Sequence, residues 1–315
     1  MKGFAFPLGI DPGGIDAPTQ GYTIAYTAGQ DDEPDSYVFQ VVVSHEKLRP
    51  ILQKAFELLP DRVYGIVEVG SRDAYRSVDV YMGEEAVGRQ QFVKTWREYE
   101  PLLLEDGSIA AGANSDEPFI ELFLDHWKGL HLHVPLDMRE EVERLLHSFG
   151  LEEVVQTWAE PEDASVEDST QLRPVLADGE EMSDIDELLM ELRRDWRLEL
   201  NVDPETNVDE GGRELGQTLW HAIVVVDHAE KGAEGRADLS IWATAGSLNE
   251  MEGMIDKLLE EQEEWRFVEV FTVDRVAFDE RPEELADLTP KRREAQVHLV
   301  TIEPWMTRPQ GGGDG

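Results

Sequence analysis

Residues 119–135, FIELFLDHWKGLHLHVP, alternate apolar and polar side chains on both sides of a short turn-forming run. Successive side chains of an extended chain point to opposite faces. Ile120, Leu122 and Leu124 therefore share one face with Leu130, Leu132 and Val134, leaving Glu121, Phe123, Asp125, His131 and His133 on the other. The stretch reads as a hairpin turning near residues 127–129, with its aliphatic face under helices.

On the C-terminal side the period changes from two to about 3.6. Met138, Val142, Leu145, Leu146 and Phe149 make one apolar stripe. Asp137 can cap that helix with Glu140 reaching back to it, and Gly150 can close it. Residues 151–158 then alternate as a further strand. On the N-terminal side the same order recurs. Residues 37–43 are strand-like, Ser44 can cap, and Leu48, Ile51, Leu52, Ala55 and Leu59 are spaced for a helix that ends at Pro60 and leads to a strand at 62–69. A longer helix, 84–105, carries Phe92, Trp96 and Leu103, and residues 76–82 can add a strand. Two strand–helix–strand units side by side give the expected fold of this half: a ferredoxin-like sandwich with a mainly antiparallel sheet covered by helices.

The second half gives a related α+β layer. Strands are expected at 219–227, 237–245, 267–276 and 296–302, with a helix after Ser247 and Glu250 whose stripe is Leu248, Met251, Ile255, Leu258 and Leu259, and a short helix at 282–288. Residues 160–181 are acidic, contain Pro161 and Pro174 and show no period, as a linker does. Ser183 caps a helix to about residue 200 with Ile185, Leu188, Leu189, Leu192 and Trp196 on one stripe, and the second domain is its expected docking partner. The organisation expected is thus an α+β chain with two layered α/β-sandwich domains. The first is residues 1–158, the linker and helix occupy 159–213, the second domain is 214–305, and 306–315 is a disordered tail. A length of 315 residues suits two domains at about 150 residues each.

Composition removes several classes of function. The chain has no cysteine, which excludes a disulfide scaffold, a thiolate zinc site, an iron–sulfur cluster and a cysteine nucleophile. There are 68 acidic against 28 basic residues, a net charge of −40. That balance argues against nonspecific binding to nucleic acid or to an anionic membrane, both of which need clustered cations. The longest basic run is Lys291-Arg292-Arg293, which reads as a solvated turn. No 18-residue apolar run occurs and the N-terminus lacks the pattern of a signal peptide, so a soluble cytoplasmic protein is expected. The same acid excess suits the surface of a protein in a salt-loaded cytoplasm.

The hairpin carries the main chemical candidate. Glu121, Asp125, His131 and His133 share a face on which cross-strand neighbours approach to about 5 Å, a set suited to a divalent metal or to an acid–base pair. The competing account is a solvated or partner-binding hairpin face, with Phe123 among polar groups and Trp127 exposed at the tip. A second candidate is the run from Asp203 to Glu214. It places oxygens from Asp203, Glu205, Asn207, Asp209 and Glu214 at the spacing of a calcium loop but has Val208 where such a loop needs glycine. Ser44 and Lys47 match a Ser-x-x-Lys spacing that capping by Ser44 explains better. His221, His228 and His298 lie on strands, and no glycine-rich phosphate loop occurs. These features lead to the expectation of a non-catalytic acidic protein that binds or regulates a basic protein, as inhibitor and immunity proteins do, with no cofactor. The alternative is a metal-dependent hydrolase or lyase centred on the 119–135 hairpin.

Overall fold

The computed structural model describes residues 3–12, 17–29, 34–158, 171–172, 175, 185–229, 235–261, 264–289 and 294–305. It divides the chain into two compact units, Met1–Gly70 with Asp79–Asn201, and Ser71–Val78 with Val202–Gly315. The expected linker, the Ser183 cap, the basic run at 291–293 and the 306–315 tail lie outside the described residues, except for residues 171, 172 and 175 of the linker.

The first unit contains, in chain order, β1 (Ile10–Asp11), β2 (Gly21–Thr27), β3 (Ser36–Val42), α1 (His45–Ala55), β4 (Arg62–Gly70), β5 (Val78–Gly83), β6 (Val87–Gly88), α2 (Arg89–Glu105), β7 (Ile109–Asp116), β8 (Phe119–Leu124), β9 (Leu130–Pro135), α3 (Arg139–Ser148), β10 (Gln171–Leu172), α4 (Ile185–Trp196) and β11 (Leu198–Leu200). Nine of the strands form one sheet in the order β11-β5-β4-β7-β8-β9-β3-β2, with β6 paired to the start of β4. β8 and β9 pair antiparallel, as their alternation requires. Ile120, Leu122, Leu124, Leu130, Leu132 and Val134 are all buried in one core with residues from α1, α2, α3 and α4. Burial of such aliphatic side chains stabilises by roughly 1.5–3 kcal/mol each, which is why the alternation fixes the facing of the sheet.

The sheet departs from the ferredoxin-like expectation. β3 and β4, which α1 joins, are separated by β9, β8 and β7. Residues 151–158 are not a strand and make one isolated parallel bridge, Glu153 to Tyr22. Three strands carried no clear alternation in the sequence: β2, β7, whose residues are the small IAAGANSD, and the short β11. The helix expected from residue 84 begins at Arg89, because Val87 and Gly88 pair with Val63 and Arg62. Asp137 lies in a 3-10 turn and gives no capping bond to α3. Ser44 does occupy the N-cap of α1, but its hydroxyl serves Glu46 and the amide of Ala5 instead of the helix.

The largest correction concerns α4. Its Leu188, Leu192 and Trp196 belong to the core of the first unit, where the Trp196 ring stacks on Trp96 at 6.3 Å and meets Phe92 at 4.5 Å. The helix ends with its stripe at Trp196, four residues before the expected bound at residue 200. Arg197 turns the chain with φ +55°, and residues 198–200 pair with β5. Gly65 in β4 leaves the space that Trp196 fills, since a Cβ there would stand 2.9 Å from Trp196 Cβ.

The second unit contains β12 (Thr218–His228), β13 (Arg236–Ala245), α5 (Leu248–Glu260), β14 (Trp265–Val276) and β15 (Gln296–Pro304). They form an antiparallel sheet in the order β14-β12-β13-β15, and Met251 and Ile255 of α5 pack on its Trp220, Ala222, Val224, Leu239 and Ile241 face. Ser247 caps α5 by accepting from the Glu250 amide at 3.2 Å, while the Glu250 carboxylate reaches back to the Gly246 amide. The expected helix at 282–288 is one 3-10 turn, Glu283–Leu285, and another, Phe278–Glu280, precedes it.

Residues 71–78 belong to this unit through a buried ion pair. Arg275 Nε donates to Asp73 Oδ2 at 2.7 Å, and its Nη1 donates to Asn207 Oδ1 and Val208 O. Tyr75 and Trp220 lie 5.2 and 5.9 Å from that guanidinium. No helix among the described residues is long and apolar enough to cross a membrane.

Candidate functional site

The hairpin β8–β9 places its polar row as the sequence reading expected. Glu121 lies opposite His133 and Phe123 opposite His131, and the side chains of this row are half-buried where the alternate row is fully buried. Between the strands, Asp125 organises the turn. Its amide donates to Gly129 O, its carbonyl accepts from the Lys128 amide, and its Oδ1 accepts from the Gly129 amide at 2.8 Å. Lys128 adopts φ +60°, the left-handed turn conformation that lets the chain reverse at this point.

The two histidines of the row are drawn to different partners. His131 Nε2–H donates to Asp125 Oδ2 at 2.8 Å. His133 Nε2 hydrogen-bonds with Ser36 Oγ on β3 at 2.5 Å, and its ring stands edge-on to Phe119 at 5.0 Å. Glu121 sits near His131 and Glu68. Burial, with a smaller contribution from the Glu68 charge, holds its carboxyl above the usual carboxylate range against the opposing pull of His131. Among the described residues no group of three or more His, Asp or Glu side chains is placed to hold a metal ion. Glu121, Asp125, His131 and His133 thus share a neighbourhood, but the bonds drawn by His131 and His133 run to separate partners.

Trp127 was expected to be exposed and is instead half-buried, its ring edge-on to Trp158 at 5.7 Å. Trp158 in turn meets Phe6, which lies against Phe4. Phe123 keeps its expected place on the half-buried row, where its ring carbon Cδ2 is close enough to Gly112 that a Cβ there would lie 3.0 Å away.

Three groups near the hairpin were not singled out from the sequence. Lys128 is only 5% exposed, and its ammonium donates to Ile109 O at 2.6 Å. Burial lowers its pKa to about 8, opposed by the charges of Asp106, Asp125 and Glu105. His126 Nδ1–H donates to Gly107 O at 3.1 Å, and Nε2 lies 3.8 Å from Glu68. Glu68 itself lies on β4, two strands from Glu121 in the sheet. The sequence held no signal for these, because a lysine in a turn and a glutamate in a strand are ordinary solvent-facing residues until the sheet order brings them together.

The 203–214 run does not gather its oxygens. Asp203 Oδ1 accepts from the Glu205 amide, and Asp209 Oδ1 accepts from the amides of Gly211 and Arg213. Asn207 turns away to Gly216 O, Thr218 Oγ1 and Arg275. Asp203 and Asp209 close local turns, Glu205 Oε1 accepts from Asn249 Nδ2, and Asn207 serves the buried Arg275. In the second unit His221 stacks on Trp242 at 4.2 Å and bonds Ser240 Oγ at 2.8 Å, with burial depressing its pKa. His298 bonds Thr244 Oγ1, and His228 lies against Trp265.

Comparison with protein-family models, with curated proteins and with solved structures finds no match to the chain.

Proposed function

We propose that the chain is a non-catalytic protein that binds a basic protein through the polar row of the β8–β9 hairpin. One observation carries the reading: Glu121, Phe123, His131 and His133 remain half-buried on a regular sheet surface whose strands β7, β8 and β9 contain no Lys or Arg. A rigid sheet offers aromatic and acidic groups at fixed spacing, which suits a cationic surface with an apolar centre. The net charge of −40 supports the same choice of partner, because it accelerates encounter with a basic protein in a salt-dependent way.

Affinity capture with the full chain at low and high salt, repeated with Phe123→Lys, tests this reading. Basic proteins retained by the wild type at low salt, released by salt and lost in the variant are the expected result. Identical capture by both chains would remove the hairpin from the interface.

A metal-dependent hydrolase or lyase is the second reading, favoured by the Asp125–His131 bond. A carboxylate that holds one imidazole nitrogen fixes the tautomer that leaves the other, Nδ1, with the lone pair a metal needs. On this reading zinc or manganese raises the melting temperature of the wild type and leaves a His131→Ala/His133→Ala double variant unchanged. A melting temperature of the wild type that ignores both metals would eliminate it.

A further inference from the structure

The two large sheets have four outer edges among the described residues, and three of them carry devices that discourage pairing with another chain. β11 is three residues long. β2 is crossed by the following chain, with the Tyr22 amide donating to Glu152 O and the Val154 amide donating to Tyr22 O. β14 carries Arg266, Glu269, Asp274 and Arg275 and twice breaks register with β12. Short strands, charges and bulges are the means by which sheet edges avoid unwanted partners.

β15 is the least protected of the four, with one register shift against β13 between Trp242 and Ala243 and with Glu303 and Pro304 only at its end. In a chain that is 30% charged, its residues 296–302, QVHLVTI, contain no Asp, Glu, Lys or Arg. Its far end is open to solvent over residues 301–304, and it carries two of the exposed large apolar side chains of the molecule, Ile302 at 37% on the strand and Trp305 at 46% just after it. We propose that β15 is a self-association edge, and that two copies of the chain pair antiparallel through it to join their four-stranded sheets into one of eight.

The sequence of the strand selects a second copy as the occupant. A two-fold axis perpendicular to the sheet places opposed residues on the same face, so the pairing must keep alternation in step. An axis through Thr301 meets that condition over Leu299 to Glu303: Thr301 faces its own copy, Val300 faces Ile302, and Leu299 faces Glu303. The ladder with β13 puts Val300 and Ile302 opposite Ile241 and Leu239, on the face covered by α5. Four aliphatic side chains, two from each copy, then close over one another beside the existing core. The single carboxylate of the strand, Glu303, does not oppose its own copy. Pro304, which lacks an amide hydrogen, ends the pairing.

Two copies of a strongly negative chain repel at long range, so association strengthens as salt screens that repulsion. The absence of cysteine makes the register directly testable. Thr301→Cys gives each chain a single thiol, and opposed strand residues are close enough for a disulfide. Light-scattering mass of the full wild-type chain is expected to rise from 35.7 kDa toward twice that value with protein concentration, and further in high salt. Thr301→Lys, which sets two ammonium groups face to face at the axis, is expected to stay monomeric with unchanged circular dichroism. Thr301→Cys is expected to cross-link as a dimer under mild oxidation in high salt. A wild type that stays monomeric at high concentration and high salt, a dimer that survives Thr301→Lys, or a dimer that fails to cross-link through Thr301→Cys would each overturn the proposal.

Discussion

Lys128 is held in a place where its charge is costly. Its ammonium is buried against Ile109 O, and its pKa falls from 10.5 to about 8 because loss of water outweighs the pull of Asp106, Asp125 and Glu105. The protonated form is therefore less favoured in the folded than in the unfolded chain. Between those two pKa values the unfolded chain binds more protons, and folding stability rises with pH. Lys128→Met removes this dependence. Urea melts at a series of pH values are expected to show the wild type gaining about 3 kcal/mol on the variant between pH 8 and 10.5, at 1.36 kcal/mol per pKa unit. A constant difference between the two across that range would mean that the ammonium reaches water.

At the scale of elements, α4 decides how the chain is organised. Its apolar stripe was legible in the sequence, since Leu188, Leu192 and Trp196 recur at helical spacing, but a stripe specifies only that a face must be buried. The partner is the core of the first unit, where Gly65 and the rings of Phe92 and Trp96 make a recess for Trp196. Leu192 is fully buried there. Leu192→Ala is expected to cost about 2–5 kcal/mol through lost burial and the cavity left behind. Hydrogen exchange would locate the effect, with faster exchange expected in α4, α2 and β4 and unchanged exchange in β12 and β13. Loss of protection confined to β12 and β13 would contradict the assignment of α4 to the first core. The hairpin is the converse case, an element whose partners are local. Its alternation, its turn and the two faces of its side chains were all readable, while the bonds that separate His131 from His133 depend on Ser36, 97 residues away from His133.

At the scale of the whole molecule the net charge of −40 bears on stability as well as on partners. Among the described residues several ion pairs are exposed on both sides, and such pairs contribute about 0–1 kcal/mol each. Repulsion among the remaining acids is spread over the surface and is screened by salt over a distance of about 10 Å at 0.1 M. The melting temperature is therefore expected to rise with sodium chloride, and calorimetry in a low-salt and a high-salt buffer checks it. A melting temperature that falls with salt would place more of the stability in ion pairs than in the apolar cores.

The sequence by itself determined what depends on neighbours along the chain: the mixed α/β class, the inward and outward rows of β8 and β9, the stripes of α1, α3, α4 and α5, the Ser247 cap and the classes of chemistry that need cysteine. These follow from side-chain periodicity and from functional groups present or missing. The tertiary structure alone decided the order of nine strands, the inclusion of the small-residue strand β7, the docking of α4 on the first core, the burial of Lys128 and the pairing of Asp73 with Arg275, 202 residues apart. Each of these depends on which surfaces meet. Hydrophobic burial is not directional, so a local pattern states that a face must be covered and leaves the choice of cover to the packing of the whole chain.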